Sequence, residues 1–437
     1  MRESIPEVRA RIADVNRRLS ACAGLAAVLL ALTAQARVQQ DDDAFIDNID
    51  HPAIAYRTAP TTDPVAQLAR HLAAGTTTLE FDNTTGYLPA LLRALEIPVA
   101  SQLALFSKTS LQQLIISPQN PRAIYFNDSV MVAWPRDGFI EIASHDPSQG
   151  IVFYMLPQQR FAPPTLLRRN DCLQCHHSYN TLGVPGLLER SVITDPRGQT
   201  MPFLGNYLVD DRTPLEERWA GWFVTGTSGE GRHLGNQMPP ATRDLDTQVP
   251  ARATSVAALP DALNGYPSTQ SDIAAHLVFD HQIRVMNLIT RTGWQVRLAD
   301  ANQRDVGATA NRAARELVDA LLFVDETALP PGIAGAAGFA STFSARGPMD
   351  RQGRSLRMLD LHTRLLRYPC SYMVYSNAFE ALPPPALDAV YRRMWSVLSG
   401  ADSDARYARL TAADRLAVIE ILRDTKKGLP GYFRLPS

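Results

Sequence analysis

Cys172-Leu173-Gln174-Cys175-His176 is the stretch of this chain with the most chemistry in it. Two thiols three positions apart, followed at once by an imidazole, can add to the two vinyl groups of a porphyrin and set the histidine under the iron, the attachment pattern of a covalent c-type haem. The intervening pair lets the segment make roughly one helical turn across a ring edge, and His176 follows too closely to point anywhere but the iron. The same spacing also serves zinc and thiol redox chemistry. A zinc site normally wants a second Cys/His pair, and none stands at motif spacing; a redox pair normally ends a hydrophobic strand, and none precedes Cys172.

The iron's other face needs a second group or an open position. Histidine there gives a low-potential carrier, methionine a higher potential, and an open position admits peroxide or other small ligands. His233 heads the candidates, ahead of Met238, His276, His281 and Met373. A glycine-rich run, Thr225 to Asn236, delivers Arg232 and His233 side by side, because glycines let backbone approach a bound group closely. Arg232 could stabilise charge developing on a peroxide bond or pair with a haem propionate, and Trp222 could hold a radical. The plainer readings are a structural loop histidine, a surface arginine and a core indole. His177 follows His176 directly and cannot turn to the opposite face. His276 and His281 sit five positions apart on one helical segment, about 500° around it, so they do not form a metal clamp. Cys370 reads as a buried thiol.

The chain that must position these groups has 437 residues, 45% hydrophobic and 20% charged, which suits a folded globular protein. Its 43 basic and 44 acidic residues leave a net charge of -1, which gives no reason to expect nucleic acid as a partner. Arg17 and Arg18 precede an apolar run from Ala21 to Leu32, and Ala34-Gln35-Ala36 supplies a cleavage site. That run falls short of the ~20 residues a membrane span needs, so residues 1–36 read as a signal peptide and membrane association is not expected after its removal. Past residue 36 the cysteines are Cys172, Cys175 and Cys370, too few for a disulfide scaffold.

After a polar lead-in, helices are expected at Val65 to Ala73, opened by Asp63-Pro64, and at Tyr87 to Leu95, where leucines recur at helical spacing. From Ala123 to Leu156 the period changes to short β-favouring runs separated by turn residues, an antiparallel meander. His145 closes the third run and is expected to fix a turn beside Asp146. A hairpin of Arg190 to Thr194 with Met201 to Leu208 turns through Asp195-Pro196-Arg197-Gly198. Gly183-Val184-Pro185-Gly186 either runs past the proximal face of the ring or simply turns the chain. Helices return at Ile273 to Ala299, Asp305 to Phe323, Pro385 to Leu398 and Ala412 to Thr425, with a long loop from Pro330 to Gly347. These elements give an α+β fold: a mixed N-terminal region over 37–160, a haem-binding region with short antiparallel strands over 161–248, and a mainly helical region over 249–437.

Cys172-Leu173-Gln174-Cys175-His176 resembles the haem-binding motif of the c-type cytochromes. The resemblance implies one haem c, thioether links from Cys172 and Cys175, and iron coordination by His176. The surroundings depart from the compact helical cytochrome c domain, because the motif lies between β-rich segments of a much longer chain. With Gly183-Val184-Pro185-Gly186 and the Trp219 to Asn236 stretch, the pattern is similar to large exported bacterial cytochrome-c-like proteins. The expected function is an exported, periplasmic monohaem cytochrome that passes electrons to a redox partner. The alternative is a haem peroxidase or oxidase that takes a small-molecule oxidant at an open position near His233.

Overall fold

Seven antiparallel strands carry the first half of the protein. In a computed structural model of the chain, residues 47–238, 262–336 and 338–433 are described, so the expected signal peptide lies outside the described residues. The strands are β1 (Leu103–Leu105), β2 (Arg122–Phe126), β3 (Val130–Trp134), β4 (Ile140–Asp146), β5 (Gly150–Leu156), β6 (Leu167–Arg169) and, after the hairpin β7 (Glu189–Val192) and β8 (Asn206–Val209), β9 (Trp222–Phe223). Their order in the sheet is β6-β5-β4-β3-β2-β1-β9. The expected meander is therefore its centre. The two edges come from either side of the pentapeptide: β6 immediately before it and β9 well after.

Side chains alternate across a strand, so the register assigns faces. Arg122, Glu141, Phe153, Met155 and Arg169 share one face, and Tyr125, Val132, Ile142 and Tyr154 the other. β3 is buried along its whole length, as is nearly all of β5, which accounts for their uninterrupted apolar sequences. On the second face lies α1 (Pro64–Ala73): Asp63 caps it through Oδ1 to the amides of Val65 and Ala66, and Oδ2 accepts from Tyr154 at 2.7 Å. A second short helix, α2 (Leu88–Ala94), follows close to its expected place. The pentapeptide contributes one turn, α3 (Leu173–His176).

The first face carries α4 (Ile273–Ala301), capped by Asp272 and reaching Phe126 of β2 through Phe279, with ring centroids 5.1 Å apart. From Ile273 to Thr290 this helix is buried on every side. Its buried polar side chains tie down separate segments: Gln282 donates to Asn127 O, Asn287 clasps the backbone of Leu187, and Thr290 meets His145. His145 accordingly faces α4 and does not fix the turn as expected. Asp146 does that instead, accepting from the amides of Ser148 and Gln149.

α5 (Val306–Leu321), α6 (Phe339–Ala345), α7 (Asn377–Glu380), α8 (Pro384–Leu398) and α9 (Ala412–Thr425) complete the helical C-terminal part. The fold is α+β. Two local readings change. The stretch expected as a loop from Pro330 contains α6 and a short strand, β11 (Ile333–Ala334), which pairs with β10 (Thr227–Ser228). The second strand of the hairpin starts at Asn206, because Asp195 accepts from the amides of Arg197 and Gln199 and the turn continues to a bridge between Thr194 and Thr200. Among the described residues no helix is long and apolar enough to cross a membrane.

Candidate functional site: the pentapeptide and its loop

β6 delivers the chain to the pentapeptide. Arg169 and Asp171 form an ion pair just before it, and Leu173 is buried beneath α3. One turn of helix, with the amide of His176 donating to Cys172 O at 3.0 Å, leaves Cys172 half-buried and Cys175 exposed. Burial, with the charges of Asp171 and Glu141 adding to it, pushes the Cys172 thiol up to about 11. An activated redox cysteine has its thiol pushed the other way.

His176 is joined to Gly186 twice. The Gly186 amide donates to His176 O, and the imidazole Nδ1 lies 2.9 Å from Gly186 O. A carbonyl can only accept, so Nδ1 carries the proton and Nε2 keeps a free lone pair, the tautomer a metal-binding histidine needs. Burial holds the imidazole down to about 4, against the Gly186 hydrogen bond that acts the other way, so the ring is neutral at physiological pH. Phe153 of β5 packs on it, with ring centroids 4.9 Å apart.

The loop bearing Gly186 is clamped from both sides. Pro185 O accepts from the amide of Ile151 on β5, and Asn287 of α4 accepts from Leu187 N at 2.9 Å and donates to Leu187 O at 2.7 Å. A Cβ at Gly186 would stand 2.4 Å from Asn287 Oδ1, so only glycine fits there. The Gly183 to Gly186 stretch thus runs against the His176 side chain and backbone.

Arg122 and Glu141, an ion pair on the same sheet face, lie close enough to act on His176 electrostatically. Glu141 also accepts from Ser110 and Gln112, and the amide of Lys108 donates to Gly198 O. These bonds tie two surface segments to this end of the sheet. Both carry exposed apolar side chains: Leu114 at 91% exposure and Phe203 at 78%, with Phe161 at 95% on the approach to β6.

The other expected site residues belong elsewhere. His233 is fully buried; its hydrogen bonds and ring contacts are to Gly235, Gln237 and Trp219. Burial lowers it to about 4, and its Nε2 has no hydrogen-bond partner among the described residues. Arg232, its neighbour in sequence, is exposed, so the two side chains do not act together. Trp222 donates through Nε1 to Arg190 O at 2.9 Å and packs on His276. Arg190 is four residues beyond Gly186, an arc of at most about 14 Å, so Trp222 is tied to the strand that follows the loop.

His276 lies by the backbone carbonyl of Phe223, and His281 lies between Asp211 and Ser371. Met238 is half-buried, and Met373 and Cys370 are fully buried. Among the described residues no three His, Cys, Asp or Glu side chains converge to hold a metal ion.

Around Trp219, a bulky residue at φ 68, in the left-handed region such side chains avoid, stand Glu189, Arg218 and Asp280, which the sequence did not single out. Trp219 is held there by the amide of Ala220 donating to Ser191 Oγ and by its own Nε1 lying 3.4 Å from Asp280. Arg218 donates to the same carboxylate at 2.9 Å, and the carboxyl of Glu189 abuts it. A single sequence carries no signal that joins positions 189, 218 and 280. Comparison of the chain with protein-family models, with curated proteins and with solved structures finds no match.

Proposed function

We propose that the chain is an exported monohaem c-type cytochrome, with haem c attached through Cys172 and Cys175, His176 as iron ligand, and electron transfer as its task. The observation that carries this reading is the Nδ1 hydrogen bond of His176 to Gly186 O, which fixes the ring and frees Nε2 for a metal. The residues present suit the group. The thiols flank one helical turn, Cys175 is exposed, and Phe153 backs the imidazole that would hold the iron.

When bound, the haem supplies a one-electron couple. The chain's own contribution is to keep the imidazole neutral, hold its orientation through the doubly clamped loop, and back it with Phe153. The alternative, a peroxidase or oxidase working near His233, draws less support, because His233 packs on Trp219 and Arg232 turns to solvent.

The test is production of the exported chain in a bacterium that matures haem c, followed by haem staining after denaturation and a visible spectrum. A stain that survives denaturation, and disappears in the Cys172→Ser/Cys175→Ser double variant, is the expected result. Zinc or no cofactor in the purified protein overturns the proposal.

A further inference from the structure

The turn between Ser110 and Ser117 presents an uncovered apolar surface. Leu111, Leu114 and Ile115 are 58%, 91% and 39% exposed, three large aliphatic side chains within five residues. The backbone beneath them is firmly built. Gln112 is the peg: its amide group donates to Phe139 O at 3.0 Å and to Glu141 at 3.2 Å, and its side-chain oxygen accepts from the Phe139 amide at 3.0 Å. Ser110 Oγ donates to the same Glu141 oxygen at 2.8 Å, and the amides of Gln113 and Ile115 close on Ser110 O and Gln112 O. A fixed turn that holds contiguous apolar side chains in water marks a binding surface.

Glu141 places this turn beside the pentapeptide. It stands across from Met155, and Phe153, on which His176 packs, is two positions along the same strand and face. Diagonal neighbours of that kind lie about 7–8 Å apart. The Glu141 charge accordingly reaches both Cys172 and His176. Order along β5 also sets a direction. The Gly186 loop is tied to its Ile151 end through Pro185 O, whereas Ser110 and Gln112 are tied, through Glu141, to its Met155 end. His176, at Phe153, lies between them. Its Nδ1 is spent on Gly186 O, so Nε2 sits on the ring edge away from that bond, towards Glu141 and the turn.

The chemistry of the turn selects its occupant. Residues 110–117 contain no aromatic side chain and no arginine, the usual anchors of a protein interface. Lys108, half-buried two residues before Ser110, has no ion-pair partner among the described residues. An apolar body with anionic groups at its edge satisfies both features, and a haem, with its hydrocarbon ring and two propionates, is such a molecule. We propose that Leu111, Leu114 and Ile115 form the wall on which the haem ring lies, on the Nε2 side of His176, with Lys108 at a propionate. This inference rests on the haem reading and assigns the part of the site that the pentapeptide does not supply.

Hydrogen exchange read by mass spectrometry compares residues 110–116 in the haem-loaded protein and in the Cys172→Ser/Cys175→Ser variant, with residues 399–404 as internal reference. Exchange at least tenfold slower in the loaded protein is expected. A haem-stained protein whose 110–116 segment exchanges as fast as in the unloaded variant overturns this inference and leaves the haem reading standing. A chain that takes up no haem overturns both, and the missing stain tells the two failures apart. Should the double Ser variant not fold, Leu111→Asn/Leu114→Asn in the loaded protein decides, because both side chains are exposed and the fold does not depend on them. A lower reduction potential with an undiminished haem stain supports the wall, since polar groups and water at the ring favour the ferric state. An unchanged potential overturns it.

Discussion

Asp211 and His281 meet in the interior at 2.9 Å, carboxylate Oδ2 to imidazole Nδ1, while Arg284 takes the other carboxylate oxygen at 2.8 Å. Burial alone would raise the Asp211 carboxyl; the charge of Arg284 and the hydrogen bond from His281 overcome it and hold the group well below the usual carboxylate range. Its folded pKa is thus lower than its unfolded one, so the stability it contributes is present above about pH 4 and is lost only as pH falls towards the depressed folded value. Asp211→Asn leaves Arg284 buried without its charge and is expected to cost about 3–5 kcal/mol, read as a large drop in denaturation midpoint at neutral pH.

Three buried histidines set a milder acid limit. Burial holds His145 and His233 down to about 4 and His276 to about 3. The unfolded chain takes up these protons near pH 6.5, so stability is full above that value, falls as pH drops through the window from about 6.5 to 4, and levels below it. Thermal melts from pH 7.5 to 4 should show a progressive fall in Tm. The triple variant His145→Gln/His233→Gln/His276→Gln should flatten that slope, whatever its stability at neutral pH; a slope unchanged in the variant would contradict the assignment.

Gly186→Ala places a methyl group 2.4 Å from Asn287 Oδ1 at the point where the loop holds His176. The expected outcome is a loss on the order of 1–3 kcal/mol, as the Asn287 bonds to Leu187 give way, together with a shifted haem spectrum. Asn287→Ala should reproduce the spectral shift without the clash. A spectrum unmoved by either variant would mean that the loop does not orient the histidine.

In the haem-loaded form that the proposed function requires, His233→Ala should leave the spin state unchanged, because the contacts of His233 are to Trp219 and the 235–237 backbone and side chains. His176→Ala should abolish the native spectrum while leaving the covalent stain from the two thioethers. Resonance Raman spectra of the pair distinguish these outcomes.

The helices at Pro64–Ala73, Pro384–Leu398 and Ala412–Thr425 and the four central strands were legible because their signals are local: an Asp-Pro start, apolar spacing, and turn residues between β-branched runs. α4 was legible as a helix, but the work of its polar side chains was not. His276, Asp280, His281, Arg284, Asn287 and Thr290 look like a hydrophilic face in sequence, yet all are buried, His281 and Arg284 on Asp211 and the others on separate segments. The pentapeptide could be found by spacing alone. Its support could not, since Gly186 to Asn287 and His176 to Phe153 are long-range relationships that a periodicity does not encode. The adjacency of Arg232 and His233 misled for a simple reason: consecutive residues in an extended segment point to opposite sides, and here one went to water and the other to the core.

The two borders of the large sheet close at different times. A strand as short as β6 can pair with β5 once the chain has reached Arg169, whereas β1 must wait for Trp222 and Phe223 before its outer side is covered. For a polypeptide threaded outward amino end first, the pentapeptide emerges while that border is still unsealed and α4 has yet to arrive. Under the proposed function, a maturation enzyme would meet the two sulfurs on a partly assembled surface, and the last-made half of the molecule would cover the sheet border afterwards.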